Sequence, residues 1–255
     1  MNGGLKISLA AERLFILWGI PVTNSLLTAW CVIVLLVIVG YFVGRNPQLI
    51  PGKVQAAFEW LFEFVLNYME ETLGSRELAV RFFPLIVTIF FFILASNLLE
   101  FLPFFGSVGL YQNGALVPLF RSSSTDLNTT LALALIAYFV IELTGVVMLG
   151  FLRYGSKFVN FKGGALGFLI GIIEFISNLA RLISFSFRLF GNIFAGEVLI
   201  VVVISFLPLV LPVPLMLFET FVGLVQAAIF ALLTLVFIKI AISEPHGEHE
   251  PAKAH

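Results

Sequence analysis

The sequence predicts an all-α integral membrane protein with five membrane-crossing helices and one amphipathic helix at the membrane surface. Of its 255 residues, 60% are hydrophobic and only 11% are charged, whereas a soluble domain has roughly 25% charged residues. Several apolar tracts are long enough to cross about 30 Å of hydrocarbon as helices. Because no internal repeat divides the chain, we expect residues 1–255 to form a single membrane domain.

The composition excludes several classes of protein. A net charge of −1 offers no broad basic surface for nucleic acid. The single cysteine, Cys31, cannot form a disulfide within the chain. Glu12 and Arg13 precede a short apolar patch without the order of a removable signal peptide, so we expect the N-terminus to be retained.

The first crossing is predicted at 25–43. Residues 51–72 instead place polar side chains on one side of a helix and large apolar ones on the other. The polar side consists of Glu59, Glu63, Asn67 and Glu70. We expect this helix to lie along the membrane surface. Packing on the protein is an equal alternative, and the two arrangements can hold together.

The other four crossings are predicted at 81–105, 127–151, 164–206 and 215–242. Pro84 falls in the first turns of the second crossing, where a missing backbone donor is tolerated. The last two crossings come from one apolar tract that a proline cluster at 207–214 interrupts. We interpret this cluster as the turn of an antiparallel hairpin.

Seven basic residues in the connections between the crossings fall on one side of the predicted topology. They are Arg45, Lys53, Arg76, Arg81, Arg153, Lys157 and Lys162. Because positive charges accumulate in cytoplasmic loops, we expect the N-terminus outside and the tail at 243–255 in the cytoplasm. The histidines of this tail, His246, His249 and His255, lack a fixed scaffold, so we interpret the tail as solvated rather than metal-binding.

Arg188 lies deep in the tract 164–206, too far from either end for its side chain to reach the membrane surface. An arginine at that depth costs roughly 2.5–3.5 kcal/mol on insertion scales, so it indicates a function or a partner. The structural alternative is that Arg188 joins two helices by pairing with a buried carboxylate.

Helical spacing places other polar residues on two faces around Arg188. Glu174, Arg181 and Asn192 share its face, and Glu174 lies roughly 21 Å toward the cytoplasm. Glu197 lies roughly 13 Å toward the outside and about 180° around the helix. Polar groups that lead in from the two membrane sides on different faces indicate two half-channels that do not join.

Glu219 and Gln226 share a face of the last crossing, because they are seven positions apart. If the hairpin folds back on itself, Glu219 reaches the level of Glu197. Two carboxylates close together in a low dielectric cannot both ionise cheaply, so we expect this pair to share a proton as a relay. The alternative makes them separate, solvated charges in a vestibule, which also implies an ion pathway.

Four stretches of the chain carry a family resemblance. They are SNLLEFLPF at 96–104, SSTDLNTTLALAL at 123–135, RLFGNIFAGE at 188–197 and LVQAAIF at 224–230. Together they resemble subunit a of the F-type ATP synthase, the stator part of a rotary membrane motor. The resemblance covers about residues 20–243, and its Arg-Leu-Phe-Gly-Asn core is highly specific.

The resemblance implies that Arg188 faces the ion-binding carboxylates of a rotating c-ring. It assigns to the outer half-channel Asn192, Glu197, Glu219 and Gln226, with Asp126 and Asn128 near its mouth. Glu174, with Arg181 beside it, is assigned to the cytoplasmic half-channel. The resemblance further implies a last pair of helices tilted against the ring, a peripheral stalk subunit b as a partner and a bacterial inner membrane. No cofactor and no catalysis by this chain itself are implied.

This chain departs from the family pattern at the predicted relay. Several relatives carry a histidine at position 197 or 219, whereas both residues are glutamate here. A relay in this chain must therefore work with carboxylates and water. Two further acids have no family role: we expect Glu100 at the membrane interface and Glu142 in a hydrogen bond that packs helices together.

Two other classes of function compete with a stator subunit. A self-contained channel or secondary transporter often shows two related halves, and this sequence shows no such duplication. A purely structural membrane scaffold accounts for the crossings but not for Arg188 between acids on two faces.

Overall fold

A computed structural model describes residues 11–17, 19–45, 52–100, 109–112, 115–155, 164–207 and 211–243. The helices in these ranges are α1 (Asn24–Gly44), α2 (Lys53–Leu73), α3 (Arg76–Glu100), α4 (Leu127–Leu149), α5 (Phe151–Gly155), α6 (Gly164–Phe206) and α7 (Pro212–Ile242). Five of them, α1, α3, α4, α6 and α7, are long and apolar enough to cross a membrane. The predicted all-α membrane fold is confirmed, and the chain is a multi-pass membrane protein.

Side-chain caps and a proline begin three of these helices. At the start of α1, Thr23 Oγ1 accepts a hydrogen bond from the Leu26 backbone N–H at 3.3 Å. At the start of α4, Asp126 Oδ1 accepts one from the Asn128 backbone N–H at 2.9 Å. Pro212 opens α7, where its missing donor is not needed. The caps pair N–H groups that a first helical turn leaves without partners.

A tight corner between α2 and α3 corrects one prediction. Gly74 ends α2 with φ 76°, a left-handed conformation that glycine adopts without steric cost. The chain therefore turns at once, and α3 begins at Arg76 rather than at 81. Pro84 consequently lies well inside α3, and not in its first turns as predicted.

The amphipathic helix α2 packs on the protein along one face and exposes aromatic rings along another. Met69 and Leu73 are buried in the main apolar core. Trp60 and Phe64 are exposed, with their rings stacked at 5.9 Å between centroids. Packing on the protein is thus confirmed for this helix, while its position at the membrane surface stays a prediction.

Two short antiparallel hairpins, which the sequence does not predict, lie outside the long helices. β1 (Arg13–Leu17) pairs with β2 (Ile20–Thr23), and β3 (Gly109–Gln112) pairs with β4 (Ala115–Pro118). A 3-10 helix at Ser123–Thr125 then leads into α4. Strands of this length carry too few residues for an alternating pattern to stand out from the apolar background.

α7 lies at the centre of the helix bundle and α6 lies toward its outside. Within the chain, 44% of the most apolar stretch of α7 is buried, against 22% for α6 and 17% for α1. α7 packs against α3, α4 and α6, and Phe230, Leu235 and Ile238 are among its fully buried side chains. Much of the surface of α6 is therefore left for lipid or for another chain.

α6 and α7 form an antiparallel hairpin, as predicted. Phe185 packs against Phe230 and Phe237, with ring centroids 5.0 and 5.4 Å away, and Asn192 lies next to Gln226 further along. Residues later in α6 thus contact residues earlier in α7, which is the pattern of an antiparallel pair. Some predictions fall outside the described residues: the end of the second crossing at 101–105, Lys157, Lys162, the turn at 208–210 and the tail histidines.

Candidate functional site

Asn192 and Gln226 join the two helices of the hairpin through their amide side chains. Asn192 Nδ2 donates to Gln226 Oε1 at 2.8 Å. Gln226 is only 2% exposed, and its Nε2 has no hydrogen-bond partner among the described residues. A buried donor without a partner is costly, so this amide is a natural place for water or a polar group from a partner chain.

Glu219 of α7 lies directly against the backbone of α6 at Gly196. A side chain at that position would overlap the Glu219 carboxyl group, so only glycine permits the contact. The contact brings Glu219 to the level of Glu197, as the hairpin prediction required. Glu219 is 6% exposed, and its Oε1 has no hydrogen-bond partner among the described residues.

Glu197 pairs with an arginine that the sequence interpretation missed. Arg121 Nη2 donates to Glu197 Oε2 at 3.0 Å, and the Arg121 side chain is only 9% exposed. Arg121 Nε also donates to Thr125 Oγ1 at 3.1 Å. Sequence reasoning treats a basic residue between two crossings as a solvated charge, and nothing in its sequence neighbourhood indicates that the loop folds inward.

Glu100 completes a polar cluster at this end of the hairpin. One of its carboxyl oxygens, Oε2, is buried and has no hydrogen-bond partner among the described residues. Its carboxyl group lies within electrostatic reach of Arg121, Glu197 and Glu219 and next to the Ser122 hydroxyl. We call these five residues the Arg121 cluster. It gathers three carboxyl groups and one fixed cation from α3, α6, α7 and the loop before α4.

Asp126 and Asn128 serve local structure at the start of α4. Asp126 is buried, and its Oδ1 accepts hydrogen bonds from both the backbone N–H and the side-chain amide of Asn128, at 2.9 and 3.1 Å. The preceding 3-10 helix contains Thr125, which contacts Arg121. Asp126 and Asn128 therefore fix the first turn of α4, and Thr125 just before it contacts Arg121.

Unlike Arg121, Arg188 lies on the exposed side of α6. Its Nη2 donates to Ser184 Oγ at 3.2 Å. Among the described residues, no carboxylate lies within ion-pair distance of its guanidinium. The structural alternative, in which Arg188 joins two helices of this chain by pairing with a buried acid, therefore finds no partner in the described part of the chain.

A cleft of about 380 Å³ runs along the same side of α6, toward its N-terminal half. Arg188, Ser184 and Arg181 line it, opposite Phe237 of α7. Arg181 stacks over the Phe237 ring, with Cζ 4.1 Å from the centroid, which is a cation–π contact. Glu174 lies closer to the N-terminus of α6 than Arg181 and is partly exposed.

Glu142 forms the predicted hydrogen bonds between helices. Its carboxylate accepts from Tyr154 Oη at 2.8 Å and from Asn178 Nδ2 at 3.2 Å, which ties α4 to α5 and α6. The Tyr154 ring lies on Gly145, where a side chain would overlap it. Burial, and secondly the hydrogen bond to Glu142, raise the pKa of Tyr154, so its hydroxyl stays protonated as a donor.

Comparison with known proteins decides the family. A family model described as ATP synthase A chain matches residues 26–239. The chain belongs to the ATP synthase A chain family. It is 33% identical to ATP synthase subunit a of Campylobacter fetus over 225 residues, which cover 88% of this chain and 92% of that protein.

Two further relatives of the ATP synthase A chain family extend the comparison. The chain is 35% identical to ATP synthase subunit a 1 of Syntrophotalea carbinolica, over 86% of this chain and 85% of that protein. It is 32% identical to a protein of Propionigenium modestum named ATP synthase subunit a, sodium ion specific, over 89% of this chain and 76% of that protein. The resemblance carried by the four sequence stretches is confirmed. The chain is a membrane-sector stator subunit of the ATP synthase, an ion-transporting complex.

Proposed function

We propose that the chain forms two offset proton half-channels and supplies, in Arg188, the cation that couples proton passage to rotation of a c-ring. The exposed position of Arg188 on α6, with no carboxylate of the described chain in ion-pair distance, supports this most strongly. A cation on the outer side of a membrane helix needs a compensating charge. The ion-binding carboxylates of the ring are the partners that provide it.

The outer half-channel runs from the loop before α4 to the middle of the hairpin. Its lining is assigned to Asn192, Glu197, Glu219 and Gln226, with Asp126 and Asn128 at the mouth. The contact of Glu219 with Gly196 and the amide pair of Asn192 and Gln226 support a continuous polar path between α6 and α7. Along this path protons reach the ring from outside.

The cytoplasmic half-channel follows the cleft on the N-terminal half of α6. Arg181 lines this cleft next to Arg188, and Glu174 lies nearer the predicted cytoplasmic end. The cleft is open on the side where a ring would cover it. A proton released from the ring beside Arg188 leaves along this route.

The coupling follows from the behaviour of a carboxyl group in lipid. A protonated ring carboxyl group can rotate through lipid, whereas an ionised one cannot leave a polar site without a large desolvation cost. Arg188 attracts the ionised form, so each arriving group gives up its proton and is reprotonated from the outer path. Arginine suits this role because it keeps its charge where a lysine can lose it. Each charge contributes about 2.3 kcal/mol per 100 mV of membrane potential.

The chain acts as part of a complex and performs no catalysis by itself. Its partners are the c-ring, the peripheral stalk subunit b and the lipid of a bacterial inner membrane. The basic loop residues support an N-terminus outside and a C-terminus in the cytoplasm. The acidic stripe of α2, which includes Glu59 and Glu63, is the surface offered to the stalk.

Reconstitution tests the proposed function against a self-contained channel. The purified chain is placed in vesicles alone, and in a second set together with the c-ring and subunit b. We expect proton flux only in the second set, because Arg188 needs the ring carboxylates to complete the path. Equal flux from the chain alone would contradict the proposal. Repeating the assay with Na⁺ as the only driving ion determines which ion the complex carries.

A further inference from the structure

The pairing of Arg121 with Glu197 is built into the fold from several elements. The guanidinium donates to Glu197 of α6 at 3.0 Å and to Thr125 of the 3-10 helix at 3.1 Å, and its Cζ lies 6.0 Å from the centroid of the Phe194 ring. The backbone N–H of Arg121 donates to Thr28 Oγ1 of α1 at 3.2 Å. These contacts fix the arginine in place before any proton arrives.

An ion-paired carboxylate is a poor proton carrier. If Glu197 took a proton, its charge attraction to the nearly buried guanidinium would be lost, and the charge-assisted hydrogen bond at 3.0 Å would become a weaker neutral one. Sharing a proton between Glu197 and Glu219, as the sequence predicts, would carry this cost at every step. The geometry therefore separates the two glutamates into different roles.

The remaining carboxyl groups of the Arg121 cluster are better placed to carry protons. Glu100 and Glu219 each have a buried oxygen without a hydrogen-bond partner among the described residues. A proton bound there converts an unpaired acceptor into a donor, and a water molecule can accept it. The charged groups within electrostatic reach of Glu100 are Glu197 from α6, Glu219 from α7 and Arg121 from the loop.

We propose that Arg121 is a positioning residue of the outer path, which holds Glu197 as its counter-ion and leaves proton transfer to Glu219 and Glu100. The proposal rests on the proposed function. A proton from outside water forms an O–H bond at the free carboxylate oxygen of Glu100 or Glu219. That bond breaks when the proton moves to the next water or carboxylate toward the ring. Arg121 and Glu197 neither gain nor lose a proton.

Charge-matched variants test this division of roles in the assembled complex. Proton flux is measured across membranes from which the headpiece has been removed, over a range of external pH. Arg121→Gln and Glu197→Gln each remove one partner of the ion pair, and we expect each to lose flux by about tenfold or more. The double variant Arg121→Gln/Glu197→Gln removes both charges together, so its flux should return toward that of the natural protein.

The pH profile separates a positioning role from a merely structural one. Arg121→Gln removes the cation beside the carboxyl groups of the Arg121 cluster, so the flux profile of this variant should move along the pH axis. Adding Glu197→Gln should return the profile to its natural position. Arg121→Lys keeps the charge and should keep both flux and profile. Glu219→Gln should lose flux whether or not Arg121 is replaced.

Two outcomes would overturn the proposal. One is a double variant with no more flux than Glu197→Gln alone, which would make Glu197 a proton carrier. The other is a pH profile that Arg121→Gln leaves unmoved. Either result leaves the proposed function intact as long as Arg188→Ala abolishes ATP-driven proton pumping in membranes that retain the headpiece. Pumping that survives Arg188→Ala would instead count against the proposed function.

Discussion

α6 and α7 are both long apolar helices with polar residues in their middle, yet they treat these residues in opposite ways. Glu219 and Gln226 of α7 are buried inside the chain, against α6. Arg188 of α6 is exposed and, in the described part of the chain, has no carboxylate in ion-pair distance. This contrast agrees with the proposed function, in which the buried set serves a path within the subunit and the exposed arginine serves a contact with another subunit.

Energetics support this division of the hairpin. A cation within the membrane costs roughly 2.5–3.5 kcal/mol on insertion scales, and among the described residues the Arg188 guanidinium has the Ser184 hydroxyl, but no carboxylate, as a close partner. Gln226 of α7 instead accepts a hydrogen bond from Asn192 of α6, which offsets part of the cost of burying its amide group within the fold. Changes on the exposed side of α6 should thus alter coupling, whereas changes at the α6–α7 contact should alter the path itself.

The largest effect is expected from Arg188→Ala. Without the cation, ring carboxyl groups are no longer drawn into the ionised form at the stator, so ATP-driven proton pumping in inverted membrane vesicles should fall below detection. The detached headpiece should hydrolyse ATP at its normal rate, because that reaction lies in other subunits. Normal pumping by this variant would contradict the proposal that the exposed side of α6 and the buried face of α7 have different functions.

A smaller effect is expected from Gly196→Ala at the α6–α7 contact. The added methyl group overlaps the Glu219 carboxyl group and must displace it. A displacement of about 1 Å can cost up to a hundredfold in rate, so we expect proton flux to fall by about tenfold to a hundredfold. Coupling between flux and ATP hydrolysis should be retained, because Arg188 is untouched.

Gly40→Ala is the matched control for this variant. A methyl group at Gly40 of α1 meets no atom within 4 Å, so flux should stay unchanged and the thermal stability of the subunit should not fall. Flux from Gly196→Ala equal to that of the control would show that Glu219 tolerates displacement. The path would then not depend on the close contact of the two helices.

Much of the fold could be predicted because the bilayer sets the length of each crossing. The apolar tracts locate α1, α4 and the hairpin to within a few residues of their observed bounds. The start of α3 could not be predicted as well, since Gly74 ends α2 so abruptly that no polar loop separates the two helices. The short strands lie in connections where apolar patterns carry little information.

The residues of the candidate site that lie inside apolar tracts could also be predicted from the sequence, whereas those that depend on distant neighbours could not. Arg188, Glu197 and Glu219 stand out in sequence because charged residues are rare within apolar tracts. Arg121 does not stand out, because it lies between tracts and reaches the site only when the loop before α4 folds onto α6. The role of Gly196 likewise depends on a neighbour distant in sequence, which no local pattern reveals.

Cysteine cross-linking tests most directly whether the exposed side of α6 faces the ring. In a chain with Cys31→Ser, Gly191→Cys places a thiol one helical turn from Arg188, where an added side chain meets no atom of this chain within 4 Å. Val37→Cys, on the exposed surface of α1, is the control. We predict disulfide formation between position 191 and cysteines near the ring carboxylate, and none from position 37. Cross-links from 37 but not from 191 would contradict the account.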